Sequence, residues 1–558
     1  MGQRAGENHI SKAFLIGAIV GATLSAAPAN IAPTVDFPGR QPGIARARLD
    51  ESRATLENDI LSFQWSIADG RLRPILLEDK IAGTRTDFSG TECFTLKISK
   101  SPSSAAVPIS ASALRRLSPP KLVTFPADRD SAARLGRPPG KAIVIKLLSE
   151  DGRLEVSWKA SLRDGDNTIR QEVVLSSQRD AIEVADLALL DVAVPSAEVV
   201  GVVDGSPVRA GTLFAAIEHP MARNEVLPGD GGKVRVRCAY PYNIAILPGA
   251  PVTFRSVMGI APAGQLRRAF LYYLERERVR PYHTFLHYNC GYELGCRFWQ
   301  LRTKGTPEEF ESFLDGQEQA WIDRIEIFGR ELVTRRGVTI DSFVHDHGWD
   351  DTERVWQFHR GFPAGFENVR RSAKKYNSDI GIWFSPWGGY SGRSRRVEAG
   401  QRQGFETSKL GLSLAGPRYF NRFREACVGM ARDFGVNYFK FDGFAAGNSL
   451  SGAGAYPGEV EALLRICDDL RGIKPDVFLN PTTGTWPSPF WMLWADAIWR
   501  QESDAGFLGK GSDRQQWITY RDNATYQATV KRGPLCPISS LMLHGIMIHK
   551  MAFKNPYD

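Results

Sequence analysis

Two rhythms of apolar and polar positions divide the chain. From about Ile60 to Phe270, short apolar and β-branched runs recur between Gly, Asp and Pro. They are LSFQWSI (61–67), AIVIKLL (142–148), LEVSWKASL (154–162), IRQEVVLSS (169–177), KVRVRCAY (233–240) and VTFRSVMGI (252–260). Turn signals such as Asp151-Gly152 and Asp164-Gly165 separate them. Many strand-length runs punctuated by turns predict an all-β sandwich. The Pro- and Ser-rich stretch 101–140 reads as a long loop within it.

After Pro281 the rhythm changes. Strand-like runs now alternate with helix-length amphipathic stretches. The strand candidates are YHTFLHYN (282–289), TIDSFVHD (339–346), DIGIWFSP (379–386), VNYFKFDG (436–443), DVFLNP (476–481) and WADAIWR (494–500). Helix candidates between them cover 307–337, 365–376, 417–435 and 458–472. Repeated β-then-α units, with polar or aromatic residues closing each strand, predict a (β/α)8 TIM-type barrel with its site at the C-terminal face. A seventh strand is expected near ISSLMLHGIMI (538–548), and no eighth is found before Asp558. The expectation is therefore multidomain: a β-sandwich over 51–275 and a (β/α) barrel over 276–558, truncated at its C-terminal end.

The first residues read differently. Arg4 and Lys12 precede an apolar run, Ala13 to Leu24, and small residues follow it. Such a run is too short to span a bilayer and fits the core of an export signal. Residues 1–29 are therefore expected to be a signal peptide, 30–50 a linker, and the mature chain exported and not inserted in a membrane. The 558 residues are 43% apolar and 24% charged, which excludes a disordered or coiled-coil chain. A net charge of +8 over this length is a weak excess that does not call for nucleic acid. The seven cysteines lack zinc-site spacing. Cys290 and Cys296 could pair after export, but buried thiols are the preferred reading.

Polar residues at barrel strand ends carry the chemistry. Asp442 closes NYFKFDG, and Lys440, two positions earlier, shares its side of the strand. A carboxylate kept ionised by an ammonium group suits nucleophilic attack. Asp504 lies four residues beyond Arg500 in WRQESD and is the candidate second carboxyl, with Glu502 its rival. A pair of carboxyl groups is what glycoside hydrolysis needs. Asp346 opens DHGWDD beside Trp349, an acid next to a ring that suits sugar hydroxyls and an apolar sugar face. Trp383, Trp387, Tyr288 and Asn289 would complete an aromatic wall. His345 and His347 lack a third ligand, so no metal is expected. The basic run Ser391–Arg396 reads as a solvated loop.

The ordered set FVHDHGWDD, GIWFSPW, NYFKFDG and WRQESD resembles the α-galactosidase clan, glycoside hydrolase families 27 and 36, over roughly 281–545. The preceding sandwich matches the layout of family 36. The resemblance implies Asp442 as nucleophile, Asp504 as general acid/base, and Asp346, Trp349, Lys440 and Arg500 as sugar contacts, with no cofactor. Where the family has paired Asp-Asp before Gly-Trp, this chain has Asp346-His347. The β-domain that follows the barrel in that family is expected to be missing. The leading expectation is an exported retaining α-glycosidase acting on carbohydrate. Transfer of the sugar to another acceptor, or carbohydrate binding without turnover, stays open at this point. A secreted toxin or adhesion factor rests only on the signal and the basic charge.

Overall fold

The computed structural model describes residues 35–99, 106–128, 137–240, 243–443 and 456–547. The expected signal segment 1–29 lies outside the described residues.

Residues between Arg46 and Ile260 build three antiparallel sheets of five, nine and six strands. Strand Leu154–Arg163 alternates buried and half-buried positions along its whole length. It pairs with Thr168–Ser177 in a register from Leu154 opposite Ser177 to Ser161 opposite Arg170. This is the period of two that the sequence announces: Leu154, Val156, Trp158, Ala160 and Leu162 all enter the core. The Trp158 indole finds its partner there, donating to Gln171 Oε1 at 2.9 Å. Two expectations need correction. The linker expected over 30–50 contains strand Arg46–Leu49, which pairs with Arg53–Glu57. The loop expected over 101–140 contains strands Val107–Ser110, Arg115–Arg116 and Lys121–Phe125. Lys121–Phe125 sits at the sheet edge against Gly140–Leu148, where a mostly exposed strand carries no strong alternation to read.

Helix α1 (Leu266–Glu277) leads from the sheets into the second half of the chain. There, β1 (His287–Asn289), β2 (Ser342–His345), β3 (Asp379–Phe384), β4 (Tyr438–Phe441) and β5 (Phe478–Pro481) form one parallel sheet in chain order. Helices α2 (Cys296–Lys304) and α3 (Pro307–Phe328) follow β1, and α4 (Glu367–Lys374) follows β2. After β3 come α5 (Arg393–Arg402) and α6 (Pro417–Phe434), and after β4 comes α7 (Pro457–Ile473). The start of α3 is fixed by a capping box, Glu309 N–H to Thr306 Oγ1 at 3.2 Å and Thr306 N–H to Glu309 Oε2 at 2.9 Å. Its apolar stripe of Phe310, Leu314, Trp321 and Ile325 is buried.

Eight regular barrel strands are not present among the described residues. The expected strand 494–500 is irregular. It attaches to β5 through Asp496 N–H to Leu479 O at 2.9 Å, and Ile498 bridges Leu541. Ile546 in turn bridges Tyr288 of β1. Backbone contacts thus run from β5 through 496–498 and 541–546 back to β1, but only five members are strands. Left-handed backbone at Gln501 and Glu502 (φ 63° and 60°) and at Gly545 (φ 73°) ends the extended runs. The sheets and the barrel-like half are joined at the mouth. The buried Trp486, in the loop after β5, donates its indole N–H to the carbonyls of Asp204 (2.9 Å) and Pro220 (3.0 Å). Helix α8 (Asp513–Thr525) lies between the two closing segments in the chain.

Candidate active site

The C-terminal ends of β1, β2 and β4 bring three polar groups together. Lys440 Nζ donates to Asp346 Oδ2 at 2.9 Å and stands 3.7 Å from Asp442 Oδ2. Asn289 Nδ2, at the end of β1, donates to the same Asp346 oxygen at 2.9 Å. Asp346 Oδ1 accepts from the backbone N–H of His347 and meets its Nδ1, both at 2.9 Å. Burial opposes charge on Asp346. The Lys440 ammonium and the His347 donors outweigh it and hold the carboxyl well below its usual range. Burial likewise opposes charge on Lys440, but Asp346 and Asp442 more than compensate and push its pKa up. Both groups are therefore ionised at neutral pH.

Asp442 stands one residue past β4 and is held by three donors, one from β3, one from the loop after it and one just past β5. Trp383 Nε1 donates to Oδ2 at 3.0 Å; Tyr390 and Thr482 hydroxyls donate to Oδ1, each at 2.9 Å. A carboxylate so clamped is held in one orientation. Tyr390 itself is half exposed, on a loop whose Gly388 and Gly389 adopt φ of 104° and 92°. Those backbone angles favour glycine, and they let the tyrosine fold back over the strand end.

Asp504 sits beyond the closing segment. Arg500 Nη2 donates to its Oδ1, His544 Nε2 lies 2.9 Å from the same oxygen, and Tyr292 donates to Oδ2 at 3.3 Å. Asp504 acts electrostatically on both Lys440 and Tyr390, the two groups that also feel Asp442. The two carboxyl groups thus act on the same ammonium group and the same phenol. Glu502, the rival acid, is exposed.

The structure gathers Asp442, Asp504, Asp346, Lys440, Arg500, Asn289 and Trp383 from the expected set. Trp349 is a correction. It is fully buried, its N–H donates to Trp383 O at 2.8 Å, and its ring packs on Phe358 and Phe384. The residue that follows a strand end can turn into the core as readily as into the mouth, and this one does. Tyr288 is also core, its hydroxyl donating to Glu293 at 2.8 Å. The supposed solvated loop Ser391–Arg396 instead begins α5, and Arg396 is buried in a bidentate pair with Asp350 at 2.7 and 2.8 Å. All seven cysteines are free thiols. Among the described residues, no group of three His, Cys, Asp or Glu could hold a metal ion, and no helix is long and apolar enough to cross a membrane. Sequence reading missed Tyr390, Thr482, His544 and Tyr292. Thr482 follows an expected strand and His544 lies within one, but neither position said which group its tip would meet.

These features define a protein of sheets packed on a barrel-like half with a carboxylate-rich site at its strand ends, and solved structures share that architecture. The chain is similar to the GH36 α-galactosidase AgaB from Geobacillus stearothermophilus, with 13% identity over 92% of this chain and 81% of that one, at a TM-score of 0.55. It is similar to the α-galactosidase from Lactobacillus brevis, with 12% identity over 91% and 83% and a TM-score of 0.52. The galactosidase domain of the α-galactosidase-sucrose kinase AgaSK matches at 12% identity over 86% and 78%, with a TM-score of 0.52. At such identities the likeness establishes the fold, in agreement with the resemblance carried by the motifs. The sequence matches no family model and no curated protein sequence.

Proposed function

We propose that the protein is a retaining α-glycoside hydrolase, α-galactosidase-like, acting on terminal α-linked sugars of oligo- or polysaccharides. The observation that carries this reading is the placement of Asp442 and Asp504 around one ammonium group, Lys440, at the strand ends. Asp442 attacks the anomeric carbon while the glycosidic C–O bond breaks and the leaving oxygen takes the proton of Asp504. In the second half, water attacks the glycosyl ester, Asp504 removes its proton, and the Asp442 carboxylate is released. Asp346, with Asn289 and Lys440 around it, accepts hydrogen bonds from sugar hydroxyls. Arg500 fixes the acid/base.

Support for the sugar comes from the neighbours: a variant of AgaA was solved in complex with raffinose. Export belongs to this reading and rests on the signal-like residues 1–29; the domain limits 51–275 and 276–558 belong to it as well. The test is Asp442→Asn, which keeps the side-chain size and removes the nucleophile. Turnover of an aryl α-galactoside is expected to fall by roughly 10³-fold or more with the melting temperature preserved. Wild-type turnover in a folded variant would remove Asp442 from the mechanism.

A further inference from the structure

A carboxylate oxygen has two lone pairs, so the donors around Asp442 decide which of its oxygens is left to react. This inference rests on the assignment of Asp442 as nucleophile proposed above. Oδ1 accepts from the Tyr390 and Thr482 hydroxyls, each at 2.9 Å. The Thr482 hydroxyl has one proton, and that proton belongs to Oδ1. The other acceptor within its reach, Phe441 O, is farther at 3.2 Å and already takes the Thr482 backbone N–H at 2.7 Å. Both lone pairs of Oδ1 are then occupied. Among the described residues, Oδ2 takes one N–H, from Trp383 at 3.0 Å, and Lys440 Nζ stands at 3.7 Å, beyond hydrogen-bond length. One lone pair of Oδ2 is left for the anomeric carbon. We propose that Tyr390 is a positioning residue for the second half of the reaction: with Thr482 it holds Oδ1, leaves Oδ2 to bond to the sugar, and draws charge back onto Asp442 as the sugar leaves.

The surroundings keep Tyr390 a donor. Its ring is half exposed, but its hydroxyl is turned inward onto Asp442. Burial of that end first, and Asp442 second, push its pKa well up, against a hydrogen bond from Thr483. Trp387 packs edge to face on the ring at 5.8 Å. The charge on Asp442 changes twice in the cycle. In the first half, Oδ2 gives an electron pair to the anomeric carbon, the bond to the leaving oxygen breaks, and that oxygen takes the proton of Asp504. Oδ1 becomes the carbonyl oxygen of a neutral ester. In the second half, the water oxygen bonds to the anomeric carbon, Asp504 takes its proton, and the electron pair of the C–Oδ2 bond returns to Asp442. A hydrogen bond to an ionised acceptor is roughly twice as strong as one to a neutral acceptor. The Tyr390 contact therefore strengthens as the ester breaks, and a contact that strengthens toward the transition state speeds that step.

Tyr390→Phe keeps the ring and removes the donor; Thr482→Val removes the other donor from Oδ1 at nearly equal size. With 2,4-dinitrophenyl α-galactoside the leaving group departs readily, so breakdown of the ester limits turnover. There Tyr390→Phe lowers kcat by about tenfold, the worth of one hydrogen bond to a charged group. KM falls with it, so kcat/KM, which reports the first half, moves by less than about twofold. Intact-protein mass spectrometry during turnover finds the galactosyl ester on most of the variant. With methyl α-galactoside, where the first half limits, kcat moves by less than about twofold. Thr482→Val shows the same split between the two substrates. Equal losses of kcat and kcat/KM on both substrates, or no build-up of the ester in Tyr390→Phe, would overturn the proposal. Labelling of the wild type with 5-fluoro-α-galactosyl fluoride separates the two claims. If no ester forms on Asp442, the nucleophile assignment itself falls and Tyr390 with it. If the ester forms on Asp442 and Tyr390→Phe loses both substrates equally, only Tyr390 falls.

Discussion

At the scale of residues, the site depends on which groups are kept charged and which neutral. His345, the last residue of β2, shows the neutral case. Its Nδ1 meets Asp346 O at 2.8 Å, its Nε2 meets Gln317 Nε2 at 3.2 Å, and its ring packs on Trp321 and Phe362. The amide nitrogen of Gln317 can only donate, so His345 Nε2 accepts and its Nδ1–H donates. Burial is the main reason that its pKa falls from 6.5 to about 4. The unfolded chain binds this proton more tightly, so the stability contribution of His345 is full above pH 6.5 and is lost as pH falls toward 4. A non-titrating His345→Gln is therefore less stable than wild type at pH 7, and the gap is expected to narrow by on the order of 3 kcal/mol by pH 4. Urea unfolding at both values checks it; a pH-independent gap contradicts a buried neutral imidazole. Asp442, Lys440 and Asp346 were legible because they stand at or next to strand ends, and Asp504 because it follows Arg500 in a motif of recognisable spacing. Tyr390, Thr482 and His544 were not, because each reaches its carboxylate from a separate segment, and nothing local in PWGGY or LMLHG says where its tip will land.

At the scale of elements, period-two alternation gave the antiparallel sheets and the β/α rhythm gave β1 to β5. The failures have physical causes. Short edge strands such as Lys121–Phe125 are mostly exposed and show no alternation. The segment 494–500 has strand-like composition, but its neighbours Gln501 and Glu502 turn left-handed and leave single bridges. The largest miss, α5, hides a buried ion pair behind an arginine-rich text. Arg396 donates to both oxygens of Asp350 and stacks over Trp356 at 4.7 Å, with both side chains almost wholly out of solvent. Removing one member leaves the other charge buried and unpaired. Arg396→Met is expected to cost about 3–5 kcal/mol in chemical unfolding. A loss below about 1 kcal/mol would mean that water reaches Asp350.

At the scale of the whole molecule, the sheets and the barrel-like half meet beside the site, where Trp486 ties the loop after β5 to the carbonyls of Asp204 and Pro220. The carboxylate cluster takes its floor from β1 to β5, and Asp504 reaches it from the irregular closing segments. A rigid clamp on Asp442 and a separately held Asp504 are suited to a reaction in which one carboxylate bonds to the sugar and the other passes a proton. The most direct test follows the first product of 4-nitrophenyl α-galactoside cleavage by proton NMR, before mutarotation, with protein shown to be folded. The account predicts α-galactose as that first product, the mark of two displacements. β-Galactose appearing first, or no cleavage at all, would contradict it.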